Sequence, residues 1–327
     1  MGAPEVLLGV DIGGTATAAG LVAPDGTVLA DLVVPTHRDG PGTAVRTIEA
    51  LIEALLERAA REGWRVAGLG VGAPGVVDAR GGRVGPHAPH VPELAGLALG
   101  PAFAARFGLP TYLDNDVNAL ALAEWMFGAG RGASSLALLA PGTGFGAAVV
   151  VDGRLVRGAA GFGGEFGHAP VKFDGRPCWC GGRGCLAVYA SGRGVAEAAR
   201  ARAAAGEGAG LLAAAGGAAQ AITAPVVFAA AEAGDPVAGA IVDEACRALG
   251  AGIATLVNGL NPEVVIVTGG VAAAYARLEA QVRRAAAAHA FAEALAATRL
   301  VIVPGDKRRA VRGPAALVLY ERGGGRP

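Results

Sequence analysis

At 11–15 the sequence reads DIGGT: an aspartate closes an apolar run and is followed by two glycines and a hydroxyl residue. Gly13 and Gly14 let the backbone turn tightly, and successive amide groups facing one way form a cradle for phosphate. Asp11 can hold a magnesium ion beside such a phosphate, and Thr15 adds a hydroxyl. The same five residues also fit a plain tight hairpin whose aspartate caps the turn. A second glycine turn, PGTGFG at 141–146, follows another apolar run about 130 positions later and offers Thr143 and Gly144. Two phosphate-sized turns at corresponding places predict a grip on one nucleotide from two halves of the chain. Neither a Gly-x-x-x-x-Gly-Lys loop nor a Gly-x-Gly-x-x-Gly turn opening a Rossmann unit is present, so the phosphates are not expected to meet a lysine cradle.

Two further clusters stand out. In YLDNDVNALALAEW, Asp114, Asn115, Asp116 and Asn118 sit where a short strand hands over to a helix, the place where α/β folds expose reactive side chains. Asn115 or Asp116 can serve simply as the helix cap. Two carboxylates and two carboxamides in five positions exceed what a cap requires, and Asp116 at the helix mouth is the candidate to take a proton from an acceptor hydroxyl in phosphoryl transfer. In GEFGHAPVKFDGRPCWCGGRGC, His168 with Cys178, Cys180 and Cys185 makes a complete four-ligand set for a closed, structural zinc ion. The alternative is unliganded buried thiols. Glu165, three residues before His168, is placed to accept hydrogen bonds from sugar hydroxyls. Cys246 lies in an apolar helical run and reads as core. His37, His87, His90 and His289 have no convergent partners in sequence, and Trp64, Trp125 and Trp179 read as packing residues.

The periodicity around these residues alternates between strand and helix. Strands are expected over 5–11, 16–23 and 27–34, the last two joined by Pro24-Asp25-Gly26, as an antiparallel start. A helix follows over 43–62, with Val45, Ile48, Leu51, Ile52, Leu55 and Leu56 on one face. Then come a strand at 66–72, a short helix at 101–107, a strand at 111–113 and a helix at 117–127. The order repeats with a strand at 134–139 and a hairpin about Asp152-Gly153. A glycine-rich excursion over 158–194 has little periodicity. Helices are expected over 195–204, 225–233, 237–256, 271–288 and 311–320, with strands over 263–268 and 300–303. This predicts two α/β lobes with a boundary near 129–133.

Composition narrows the function. The 327 residues include 54 glycines and 19 prolines without a three-residue period, and recurrent apolar runs argue for a folded chain. Lys plus Arg and Asp plus Glu both number 28, so no basic excess points to nucleic acid, and the cluster Lys307, Arg308, Arg309 reads as solvated surface. The start lacks the basic region of a signal peptide, and the Ala-rich stretch over 209–233 is too interrupted for a membrane span. A cytoplasmic protein acting on small molecules, without membrane or nucleic-acid partners, is expected.

With these motifs in hand, the chain resembles the ROK family of sugar kinases and sugar-responsive repressors. The resemblance rests on DIGGT (11–15), GVGAPGVVD (70–78), DNDVNALALAE (114–124), GTGFGAAVVVDGRLVRG (142–158), GGEFGH (163–168), CWCGGRGC (178–185), YASG (189–192) and NPEVVIVTGG (261–270). It implies a two-lobed actin-like (ribonuclease H-like) α/β fold with a sugar and ATP with magnesium held in a cleft between lobes, and a homodimer or homotetramer. The lobes would be 1–130, with a C-terminal helix at about 306–327 packing back on it, and 131–305 with the zinc loop. By the resemblance, Asp116 is the catalytic base and Asn115 a sugar-binding carboxamide. Glu165 and His168 contact sugar, the backbone of Gly75 lies against it, and His168, Cys178, Cys180 and Cys185 hold structural zinc. Asp11, Gly13, Gly14 and Thr15 form the first phosphate motif, Thr143 and Gly144 the second, and Gly269 and Gly270 the turn beside the nucleoside.

One departure bears on substrate. Where sugar kinases of the family usually carry Gly-Cys-x-Glu, this chain has GCLAVY with Ala187, which removes a charged sugar acceptor and leaves room. A hydrogen bond to a charged group is worth roughly 1.5 to 3 kcal/mol, enough to lower hexose affinity ten-fold or more unless another group substitutes. Phosphorylation of glucose to glucose 6-phosphate leads, with mannose, fructose and N-acetylated hexosamines behind and a non-catalytic sugar-binding regulator as the alternative. With the first phosphate strand starting at Glu5, a helix-turn-helix domain of the repressor kind is not expected.

Overall fold

The computed structural model describes residues 2–88, 90–305 and 310–325. The cluster Lys307, Arg308, Arg309 and the outer parts of the expected 306–327 helix lie outside the described residues.

The chain opens with β1 (Glu5–Ile12), β2 (Ala16–Val22), β3 (Val28–Pro35), α1 (Ala44–Arg61) and β4 (Arg65–Ala73). A small ribbon of β5 (Val77–Asp78) and β6 (Arg83–Val84) precedes α2 (Leu99–Phe107), β7 (Thr111–Asn115) and α3 (Asp116–Phe127). Next come β8 (Leu136–Pro141), β9 (Phe145–Val151), β10 (Arg154–Leu155), α4 (Ala187–Ala190), α5 (Gly192–Ala204), α6 (Ala209–Ala214), α7 (Ala224–Glu232) and α8 (Pro236–Leu260). The chain closes with β11 (Val264–Val267), α9 (Ala272–Arg277), α10 (Glu279–Ala287), α11 (Ala292–Ala297), β12 (Arg299–Ile302) and α12 (Arg312–Arg322).

These elements fall into two compact units, Met1–Ser134 with Val149–Gly164 and Asp306–Pro327, and Ser135–Ala148 with Glu165–Gly305. The first unit carries a sheet in the order β3-β2-β1-β4-β7, antiparallel across β3, β2 and β1 and parallel across β1, β4 and β7. Alternation along β1 decides which helices cover it. Val6, Leu8, Val10 and Ile12 join the core under α1 and α2, where Ile48, Ile52, Leu55 and Phe103 are buried. Leu7 faces the other way, into a cluster with Val311, Ala315 and Val318 at α12. Close approach on that face requires glycine: a Cβ at Gly70 would overlap the Pro314 carbonyl.

Segment 149–164, expected within the second lobe, clusters with the first unit. Its contacts there explain the correction: Leu155 N–H donates to the Tyr320 hydroxyl at 2.9 Å, and Arg157 pairs with Asp114 at 2.7 Å and with Glu321 at 2.5 Å.

The second unit supplies β8, β11 and β12, which run parallel in a sheet of order β10-β9-β8-β11-β12. All four β11 residues are buried, as a strand covered on both faces should be. The long α8 starts at Asp235, whose carboxylate accepts from the N–H groups of Val237 (3.0 Å) and Ala238 (2.8 Å). It buries Cys246 completely, as expected of a core thiol. The helix expected over 271–288 is instead two, broken at Leu278, where the backbone leaves the helical region (φ −110°, ψ 18°). The short α6, α11 and the β5–β6 ribbon escaped the periodicity because each is six residues or fewer. Among the described residues no single helix is long and apolar enough to cross a membrane.

Candidate active site

In the first unit, three parallel strands end at one edge. Across them Asp11 neighbours Gly72, Gly72 neighbours Asp114, and Ala73 neighbours Asn115. The carboxyl ends of such strands are where α/β folds bind ligands. DIGGT turns just beyond β1: Gly13 N–H donates to the Ala16 carbonyl at 3.1 Å, and the Thr36 hydroxyl donates to the Gly13 carbonyl at 2.5 Å. Gly14 and Thr15 are exposed there. Gly13 and Gly14 keep negative φ, so the turn needs them for space: a Cβ on Gly13 would stand 2.7 Å from the Ala16 carbonyl oxygen.

The β7–α3 junction sorts its polar residues by role. Asp114 is buried and fully engaged, accepting from Asn115 N–H (2.7 Å), from the Asn118 carboxamide (2.9 Å) and from Arg157 Nε (2.7 Å). It therefore holds the junction together and is not free for chemistry. Asn115 is the helix cap, its Oδ1 accepting from the N–H groups of Val117 (2.9 Å) and Asn118 (3.1 Å). Its Nδ2 donates to the Gly75 carbonyl at 2.9 Å, tying the cap to the loop after β4. Gly75 has φ +85°, in the region that favours glycine, and a Cβ there would meet the His87 carbonyl. Asp116 opens α3, half-buried. Burial, reinforced by the Asp116 charge, pushes Asp11 from 3.8 up to about 7.

Sequence reasoning missed Arg157. It lies 43 positions from Asp114, and no local pattern announces the pairing; its guanidinium also stands over the Tyr320 ring, 5.5 Å from the centroid. His37, expected to be partnerless, faces Glu93 at 2.8 Å. Trp125 packs as expected, buried, with its Nε1 donating to the Ala133 carbonyl at 2.7 Å.

In the second unit, the turns after β8 and β11 lie at the carboxyl ends of adjacent parallel strands. The 141–146 turn is pinned by Gly142 N–H to the Gly144 carbonyl (2.9 Å) and by Arg193 N–H to the Thr143 carbonyl (3.1 Å). Gly269 takes φ +124°, and Val271 N–H reaches the Pro141 carbonyl at 2.9 Å, so the Gly269-Gly270 turn is fixed beside the Thr143-Gly144 turn.

Within the same unit, Glu165 and His168 flank a single 3-10 turn, with His168 N–H donating to the Glu165 carbonyl at 2.9 Å. Desolvation raises the Glu165 carboxyl pKa, and the adjacent imidazole opposes this. The ligand atoms of His168, Cys178, Cys180 and Cys185 all lie within 4.8 Å of one another. Cys180 Sγ and Cys185 Sγ are 3.7 Å apart, and Cys178 Sγ is 3.5 Å from His168 Nδ1. A tetrahedral ion with bonds of about 2.3 Å to sulfur and about 2.05 Å to nitrogen needs edges of about 3.8 and 3.6 Å. These two edges match that geometry. Arg176 clamps the loop: its ring-stacked guanidinium sits 4.3 Å from the Tyr189 centroid, and its N–H donates to the Tyr189 hydroxyl at 2.8 Å. Ala187, at the start of α4, is fully buried.

The two five-stranded sheets thus repeat one plan, an antiparallel ribbon on one side, parallel strands on the other and a glycine turn between; this duplicated α/β plan is the actin/hexokinase-like class of fold. Within that class the chain belongs to the ROK family, whose model matches residues 7–321. It is 38% identical over 266 residues to a glucokinase of Streptomyces coelicolor, covering 81% of each chain. It also superposes on a ROK family glucokinase from Streptomyces griseus solved with glucose and AMPPNP (TM-score 0.74, 34% identity, 95% of this chain and 98% of that one). A ROK family transcriptional regulator, a homologue of the Escherichia coli MLC protein, superposes as well (TM-score 0.81, 29% identity, 96% of this chain and 77% of that one).

Proposed function

We propose that this protein is an ATP-dependent hexose kinase, with glucose as its leading substrate and glucose 6-phosphate as product. The observation that carries this reading is the edge shared by β1, β4 and β7, where Asp11, Gly75, Asn115 and Asp116 come together while Asp114 is withdrawn into an ion pair. Asp116 accepts the proton of the sugar hydroxyl as it attacks the terminal phosphate, and Asn115 and the Gly75 backbone hold the sugar. Asp11 would hold magnesium, which would supply positive charge beside the transferring phosphate. Gly13, Gly14 and Thr15 receive phosphate oxygens, as do Thr143 and Gly144, and Gly269 and Gly270 flank the nucleoside.

Zinc is the metal we assign to His168, Cys178, Cys180 and Cys185, in a structural role, because the four donors leave no coordination position for water. With Nδ1 toward the metal, the other ring nitrogen of His168 is free to donate to a sugar hydroxyl beside Glu165. We also infer a cytoplasmic homodimer or homotetramer; the zero formal net charge favours small-molecule over nucleic-acid partners.

The test is a coupled ADP-release screen with ATP and magnesium over glucose, mannose, fructose and N-acetylated hexosamines. Glucose should give the highest kcat/KM. Sugar binding without ADP release on every hexose would overturn the kinase reading in favour of a sugar-binding regulator, the reading that Ala187 and the likeness to the MLC homologue would then support.

A further inference from the structure

We propose that the first unit carries a second small-molecule site, one that takes a phosphate group, free or esterified, in a cavity of about 700 Å³ lined by Arg80, Arg154 and Arg157. None of the residues assigned above to sugar, nucleotide or metal lines this cavity. Its volume is that of a site for a metabolite of sugar-phosphate size.

The charge balance selects an anion. Three guanidinium groups line the cavity against one carboxylate, Asp78, whose Oδ1 already accepts from Gly81 N–H at 3.0 Å. Arg157 is committed to Asp114 and Glu321. Arg80 and Arg154 are exposed and make no ion pair or side-chain hydrogen bond among the described residues. An uncommitted pair of guanidinium forks beside a third, fixed one suits a group with several equivalent anionic oxygens, which phosphate supplies and a single carboxylate does not.

The segment 158–161 also lines the cavity. Gly158 and Gly161 take φ +72° and +81°, and the intervening Ala159 and Ala160 are exposed. The N–H groups of Ala159 and Ala160 have no backbone acceptor among the described residues. Unpaired amide donors on a glycine-hinged loop that shares a cavity with arginines suit an anion. The lining also carries Val77, Leu155 and the Tyr320 ring, against which the carbon frame of a phosphate ester can lie.

The test is calorimetric titration of the full chain with inorganic phosphate, a hexose 6-phosphate and a hexose bisphosphate, each with and without glucose and AMPPNP present to fill the kinase site. Saturable binding that persists with glucose and AMPPNP, and weakens about ten-fold on Arg154→Ala and about a hundred-fold on adding Arg80→Ala, is expected. Arg154→Glu should abolish it. Glucose phosphorylation in the absence of added anion should stay within about two-fold in all three variants, since these side chains touch no reacting group. Equal affinity for the three anions would assign the site to free phosphate, and tighter binding of an ester would assign it to a sugar phosphate. Failure of all three to bind, or binding unchanged by the Arg80 and Arg154 substitutions, would overturn the proposal. Because binding is read without turnover, that result is separable from a failure of the kinase reading.

Discussion

Replacing Asp11 by Asn should make the cation-free protein more stable, and increasingly so as pH rises. Asp11 titrates at about 7 in the folded chain against 3.8 for the free side chain, because burial and the Asp116 charge disfavour its carboxylate. A carboxyl whose folded pKa is raised contributes most below its unfolded pKa, and that contribution is lost as pH climbs from about 4 to about 7. At 1.36 kcal/mol per unit, the suppressed ionisation costs the wild type about 1.5 kcal/mol at pH 5 and about 4 kcal/mol at pH 8. Differences between Asp and Asn that do not depend on pH cancel on subtraction, leaving about 2.5 to 3 kcal/mol. For a unit of this size that is a shift of roughly 8 °C in the gap between the two melting temperatures. The assay is thermal unfolding of both proteins at pH 5 and pH 8 with chelator present. Melting temperatures that run parallel with pH would refute the argument that Asp11 carries a suppressed charge. Adding magnesium and AMPPNP at pH 8 should narrow the gap, since a cation beside Asp11 favours the carboxylate that Asn lacks.

Asp116→Asn should cut kcat by about a hundred-fold or more while leaving sugar affinity near that of the wild type, as single-turnover and binding measurements would show; it should also return the Asp11 titration toward the usual carboxylate range by removing the neighbouring charge. Elemental analysis should find about one zinc per chain, and stripping it or changing Cys180 to Ser should weaken glucose binding before the remaining helices melt, so undiminished sugar affinity in metal-free protein would contradict the assignment. Arg157→Ala leaves the Asp114 carboxylate buried without its cation, and urea unfolding should report a loss of about 3 to 5 kcal/mol, against a smaller loss for Arg157→Lys.

Local pattern was enough wherever the physics is local. The apolar run of β1, the α1 face of Ile48, Leu51, Ile52 and Leu55, and the turn at Pro24-Asp25-Gly26 all arise from periodicities of two or about 3.6 and from backbone preferences of single residues. The clustering of the candidate metal ligands was equally legible, because Cys178, Cys180 and Cys185 lie so close in sequence that a short loop can bring them together whatever the rest of the chain does. The strand-to-helix junction at Asn115 is legible from its concentration of carboxylates and carboxamides, which exceeds what a helix cap needs.

What each of those residues does was decided by tertiary structure. Asp114 and Asp116 are two positions apart and chemically identical, and only the arrival of Arg157 from the 149–164 segment neutralises one, while the approach of β1 sets Asp11 beside the other. The same long-range packing moved 149–164 into the first unit, covered Ala187, and lined one cavity with Arg80 and Arg154, 74 positions apart. Sequence periodicity records which face of an element is buried, whereas charge pairing and desolvation depend on which distant groups arrive at that face.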